Sequence, residues 1–121
     1  MEDRYLFKAK TGNGYWTIGF LRCKDNKWYI NNAGSPFAYE VRPDTICQCT
    51  GLKDKNGKLI WENDIVKINN SKVNTVIAFR DFEIICTIPN EKYYKHRLEY
   101  DTEYEVIGNK FDNPELLEVQ E

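Results

Sequence analysis

Apolar and polar residues alternate along most of this chain with a period of two, the spacing that puts every second side chain of a strand on one face. In Arg4–Ala9 (RYLFKA), Tyr5 and Phe7 share a face with Leu6 opposite, and Tyr15–Leu21 (YWTIGFL) is rich in aromatic and β-branched residues. Thr11–Gly14 (TGNG) reads as the turn between them, and Lys24–Asn26 (KDN) leads into a third short strand, Lys27–Ile30. Residues 1–31 therefore predict a three-stranded meander. The pattern then lapses: Asn31–Asp44 contains NNAGSP and the dipeptide Arg42-Pro43, which holds Arg42 away from helical geometry, so residues 32–44 predict a connecting arm.

Residues 45–88 form a second β block. Asn56-Gly57, between Leu52 and Leu59-Ile60-Trp61, predicts a hairpin with a type I′ turn, in which both central residues take positive φ. Glu62-Asn63-Asp64 is a tight turn into Ile65–Ile68, Asn69–Ser71 breaks that strand, and Val73–Phe79 pairs with Phe82–Ile88 through Arg80-Asp81. Pro89-Asn90 ends the block. In residues 89–121, Glu91–Tyr100 (EKYYKHRLEY) interleaves aromatics with cations, Tyr104–Gly108 makes a last strand, and Asn113-Pro114-Glu115-Leu116-Leu117 predicts a short C-terminal helix with Asn as N-cap and Pro at its first position. The expected fold is mainly β: a small SH3-like or curled β-barrel with additional N-terminal strands and a short C-terminal helix, in one domain over residues 1–121.

Composition narrows the class. With 121 residues, 41% hydrophobic and 14% aromatic, the chain carries enough large apolar side chains to offset the entropy of ordering a single core. No apolar run approaches the roughly 18 residues of a membrane span, and MEDRYLFKAK at the start lacks an apolar signal region, so a cytoplasmic protein is expected. There thiols stay reduced, which disfavours disulfides among Cys23, Cys47, Cys49 and Cys86. The close pair Cys47-x-Cys49 and the lone His96 do not make a zinc pattern, so no metal and no cofactor are expected.

Charge is unevenly spread. The net charge is −2, but residues 1–60 carry ten Lys/Arg against six Asp/Glu, whereas residues 61–121 carry seven against thirteen. A basic half and an acidic half on one small domain, with sheet edges left to cover, predict self-association.

The segment Val41–Ile68, VRPDTICQCTGLKDKNGKLIWENDIVKI, resembles the central signature of the YopX family of small phage and prophage proteins, and the tail Tyr104–Leu117 (YEVIGNKFDNPELL) is similar to that family's ending. Two departures are visible: Asn63 stands where the family usually has glycine, and Cys47-Gln48-Cys49 replaces a more apolar lead. The signature residues here are Arg42, Pro43, Thr50, Gly51, Leu52, Lys53, Asp54, Asn56, Gly57, Glu62 and Asp64. The resemblance implies a phage or prophage origin in a bacterial host, a mostly β fold and no assigned enzymatic activity.

The residues themselves point to no catalyst. A Ser or Cys nucleophile needs a positioned base, and Cys86 and His96, ten residues apart with a proline between them, have a spacing that says nothing about contact. Asp44, Asp54, Glu62 and Asp64 are explained by turn and cap roles, and Gly12-x-Gly14 lacks the rest of a phosphate loop. The expected function is a non-enzymatic binding or interaction module, with nucleic acid as the candidate ligand; the alternative is a self-associating or host-protein-binding structural protein acting through its acidic C-terminal half. For nucleic acid the favoured site is Tyr93, Tyr94, Lys95, His96 and Arg97, where two aromatics and three potential cations fall within five residues. Arg4, Lys8, Lys10, Arg22, Lys24 and Lys27, with Trp16, Trp28 and Tyr29 nearby, are the supporting basic set.

Overall fold

Alternation is realised as eleven strands among the described residues, which in this computed structural model are 5–32, 35–81, 83–89, 91, 94–99 and 101–118. The protein is mainly β, with two antiparallel sheets. The chain divides into two compact units, Met1–Gly51 and Leu52–Glu121.

In the first unit β1 (Phe7–Lys10), β2 (Trp16–Lys24) and β3 (Lys27–Asn32) form an antiparallel meander, flanked by β4 (Ala38–Val41) beside β3 and by the start of β5 (Cys47–Lys53) beside β1. Asp25 and Asn26 link β2 to β3 with φ of 53° and 64°, a two-residue turn whose central residues both take positive φ, as do Asn69 and Asn70 (49° and 64°) in the turn closed by the Ser71 N–H and the Ile68 carbonyl. Ala9, Ile30 and Val41 are the core of this unit, with Phe7, Leu21, Trp28 and Ile46 packed on them. Gly19 makes the close approach of β2 to β3 possible: a Cβ there would sit 1.8 Å from the Asn31 carbonyl oxygen.

The stretch read as a connecting arm holds β4, because Ala38–Val41 pairs with Trp28–Asn31 and buries Val41. After it, Arg42 stays extended before Pro43, which opens a 3-10 turn over Pro43–Thr45. The sheet curls far enough for Val41 to bridge Thr11, while the Arg42 N–H donates to the Lys10 carbonyl. That bridge is isolated rather than a ladder.

In the second unit the end of β5 turns into β6 (Leu59–Trp61), followed by β7 (Asp64–Ile68), β8 (Thr75–Arg80), β9 (Glu83–Thr87), β10 (His96–Arg97) and β11 (Tyr104–Asn109). The five-stranded sheet runs β10-β9-β8-β7-β11, and Ile60, Val66, Ile77, Cys86 and Tyr104 form its core. Three sequence expectations are corrected here. Neither sheet is a closed barrel, because β5 and β6 belong to one sheet and β7 to β9 to the other, whose edges β10 and β11 meet through side chains instead of pairing. The Asn56-Gly57 loop is not type I′: only Gly57 has positive φ, +81°, and the Gly57 N–H donates to the Asp54 carbonyl, giving a three-residue loop that ends in a left-handed glycine. Among the described residues the C-terminal segment is not an α-helix; Pro114–Leu117 is a 3-10 turn, and Asn113 does not cap it because its Oδ1 accepts the Asn109 N–H instead.

Two glycine substitutions separate the causes. Gly19→Ala should destabilise folding by more than about 3 kcal/mol, since backbone must move to admit the methyl group. Gly57→Val has open space around it and should cost roughly 1–3 kcal/mol from φ alone. Thermal or urea denaturation of both variants checks the ranking; equal effects would contradict the steric reading of Gly19.

Candidate functional site

The segment favoured by sequence sits at the edge of the second sheet. Tyr93 lies outside the described residues. Tyr94 is exposed (38%), and His96 and Arg97 form β10 against β9, with His96 opposite Cys86 and Arg97 opposite Ile85. The cations face an acid that the sequence places 12 to 14 residues away: Lys95 Nζ lies 2.9 Å from one Glu83 oxygen, and Arg97 bonds the other. These hydrogen bonds, Lys95 first and Arg97 second, hold the Glu83 carboxyl below its ordinary pKa. Two positive charges are thus matched by a carboxylate between them. His96 points elsewhere: its Nε2 lies 3.1 Å from the Tyr104 hydroxyl, their rings meet edge to face at 6.1 Å, and the Glu99 N–H donates to the same hydroxyl. Burial, the larger influence, raises the Tyr104 pKa. Among the described residues of this segment, Lys95, His96 and Arg97 do not form one open set of cations beside Tyr94.

Pairing also makes Cys86 and His96 cross-strand neighbours, which spacing alone did not reveal. Burial pushes the Cys86 thiol up to about 11, so it stays protonated at neutral pH, and a protonated thiol is a poor nucleophile. Among the described residues no group of three His, Cys, Asp or Glu side chains is placed to hold a metal ion.

The signature residues are stitched into the backbone. Asp54 is 7% exposed. Its Oδ1 accepts the N–H groups of Asn56 and Lys58, both at 2.9 Å, and its Oδ2 accepts the Val106 N–H at 3.0 Å, tying the hairpin loop to β11. The Lys55 N–H donates to the Tyr104 carbonyl beside it. Asp64 Oδ2 accepts the Trp61 N–H across the β6–β7 turn, where Asn63 takes φ of 72°. Arg42 donates from Nη2 to the Gly12 carbonyl, and Pro43 starts the 3-10 turn. Thr50 is buried on β5, Gly51 and Lys53 are exposed there, Leu52 is half-buried between them, and Glu62 is half-buried in the β6–β7 turn.

A different surface gathers the basic N-terminal residues. The register of the first unit sets Lys8 opposite Ile18 and Lys10 opposite Trp16, so these four share one face. Phe20, Arg22 and Lys24 follow on the same side of β2, with Asn31, Tyr29 and Lys27 opposite them on β3 and Glu40 opposite Tyr29 on β4. Ala9, Thr17, Leu21, Trp28 and Ile30 point the other way, into the core side. Trp28 therefore leaves the supporting set, and Arg4 lies outside the described residues. On the outer face Ile18 is 48% and Phe20 40% exposed, Arg22, Lys24 and Lys27 are exposed, and the Lys8 and Lys10 ammonium groups stand 4.7 and 5.3 Å from the centre of the Trp16 ring. Among the described residues of β1–β4 this face carries five cations and one acid. Ile18 and Phe20 were missed as surface residues because large apolar side chains in a strand ordinarily face the core. A signal was present, since Trp16, Ile18 and Phe20 share parity with Arg22 and Lys24, and a row ending in two cations is the wet one.

The family model described as YopX protein matches residues 3–118, nearly the whole chain. The chain belongs to the YopX family. The match extends well beyond the third of the chain where the signature and tail carried the resemblance, and it takes in the strands of the basic face. No curated protein matches the chain. No helix among the described residues is long and apolar enough to cross a membrane.

Asp54 yields a stability prediction with a defined sign. Burial raises its carboxyl pKa, but the N–H groups of Val106, Lys58 and Asn56 and the charge of Lys58 outweigh that, and the net value lies below the ordinary 3.8. A folded-state pKa below the unfolded one stabilises the fold above that ordinary value and loses the contribution as pH falls through the folded pKa. Asp54→Ala should cost roughly 2–4 kcal/mol at pH 7, and Asp54→Asn should both lower stability at pH 7 and flatten its decline below about pH 4. Urea unfolding at several pH values measures both; an Asp54→Asn curve parallel to wild type throughout would refute the assignment.

Proposed function

We propose that this protein is a non-enzymatic binding module of a phage or prophage, acting in the host cytoplasm on nucleic acid through the outer face of its N-terminal sheet. The observation that carries this reading is the gathering of five cations on one face, Arg22, Lys24 and Lys27 exposed and Lys8 and Lys10 half-buried, interleaved with Trp16, Phe20 and Tyr29. Lys24 and Lys27 lie directly opposite each other, a like-charge placement that costs stability in the free sheet and is relieved by a polyanion. A repeating anion of phosphates matches such a row, and releasing its counterions drives association. The Tyr94–Arg97 segment fits this role less well, because Glu83 already meets Lys95 and Arg97 and the acidic stretch from Glu99 follows.

Fluorescence anisotropy with labelled oligonucleotides from low to physiological salt tests the reading. Binding should weaken with salt along a log–log slope of roughly −3 to −5, as for four or five neutralised phosphates. Arg22→Glu with Lys24→Glu should reduce affinity at least about tenfold and flatten the slope, whereas Lys95→Glu with Arg97→Glu should change it less than about threefold. Salt-independent binding, no binding, or the opposite ranking of the two double variants would sink the proposal. With no binding, the acidic C-terminal half and a protein partner or a second copy become the site to pursue.

A further inference from the structure

We infer that the ligand of this face is single-stranded, its bases stacking on Trp16 and Phe20 along β2 while Lys8 and Lys10 leave the Trp16 ring to meet its phosphates. The inference rests on the nucleic-acid reading above and specifies which form is taken and how. Its first ground is width. The major groove of a duplex admits a helix or a two-stranded ribbon, whereas the charged face spans the adjacent strands β1, β2 and β3 and the described residues include no α-helix. Such a face meets an undistorted duplex at its outer phosphates, which leaves the exposed Phe20 ring and the half-buried Trp16 ring without work.

The second ground is the arrangement of the apolar row. Trp16, Ile18 and Phe20 lie at successive outward positions of one strand, which sets the two rings about 13 Å apart. At the 3.4 Å rise of stacked nucleotides that span is roughly four residues of nucleic acid, and fewer when the strand is extended. Unpaired bases offer π-faces at that spacing; paired bases in a duplex do not. Phe20 and Ile18, close to half exposed, give the row an apolar floor that phosphates alone would not favour.

The third ground is where the cations stand. Lys10 is opposite Trp16 and Lys8 opposite Ile18, so both flank the row from β1, and both ammonium groups are held over the Trp16 ring. A cation over the half-buried Trp16 ring is a modest attraction, and a phosphate oxygen is a stronger partner for the same ammonium. As a strand settles along β2, each lysine exchanges ring for phosphate, and the ring is freed for a base. Stacking and charge neutralisation are then coupled at one residue.

Anisotropy and tryptophan fluorescence with a 12-nucleotide oligodeoxythymidine, the matching oligouridine, a 12-base-pair duplex and inorganic polyphosphate test this directly. Either single strand should bind at least about tenfold more tightly than the duplex and quench tryptophan emission, and comparison of the two says which sugar is preferred. Phe20→Ala, and Phe20→Leu, which keeps apolar bulk but removes the ring, should each weaken the single strand between about fivefold and 100-fold while leaving polyphosphate binding and the salt slope unchanged. Lys8→Gln with Lys10→Gln should lower the slope by about two. Equal affinity for duplex and single strand, with Phe20→Ala and Phe20→Leu binding as wild type does, would overturn the inference yet leave phosphate binding by the face standing. Absence of salt-dependent binding to every probe would remove both readings.

Discussion

The carboxylate of Asp54 is the constraint on which the second unit is organised. A hairpin loop and a strand 52 residues further along are joined because one buried side chain accepts an N–H from each of Asn56, Lys58 and Val106. Each of those N–H groups would otherwise need a partner, and a charged acceptor satisfies three at once. β11 is thereby fixed beside β7, and Tyr104 is carried into the core against Ile60, Val66, Ile77 and Cys86. The same Tyr104 receives the Glu99 N–H and meets His96, so the two edge strands of the sheet are held together by side chains where no ladder joins them.

In the first unit the governing constraint is steric. Gly19 lets β3 approach β2 so closely that no side chain fits between, and the consequence runs along the strand by parity. Thr17, Gly19 and Leu21 take the inner side, leaving Trp16, Ile18 and Phe20 to the outer one. Setting Ile18 and Phe20 outward leaves apolar area in water, which is why the face, and not the aromatic–basic segment near residue 95, carries the functional proposal.

Charge follows the same division. The basic excess of residues 1–60 is concentrated on one face of the meander, while the cations near residue 95 are met by Glu83. Composition alone assigned both sets to the same role; pairing separated them, since salt bridges depend on which residues lie opposite one another and not on how close they are in sequence.

Local chemistry carried the sequence reading a long way. Alternation of period two made the chain mainly β, Arg42-Pro43 made an extended residue before a turn, and the TGLKDKNGK signature pointed to the family, because each is a property of neighbours along the chain. What failed were properties of distant pairs. Turns with both central residues at positive φ fell at Asp25-Asn26 and Asn69-Asn70 and not at Asn56-Gly57, because Asp54 used its carbonyl and carboxylate to hold a longer loop. Asn113 spent its side chain on Asn109 and left a 3-10 turn where a capped helix was expected. β4 hid in a stretch broken by glycine and proline until Trp28–Asn31 supplied its partner. Which face of β2 is wet was likewise decided only by strand register, since a period of two defines two faces without saying which of them the rest of the fold will cover.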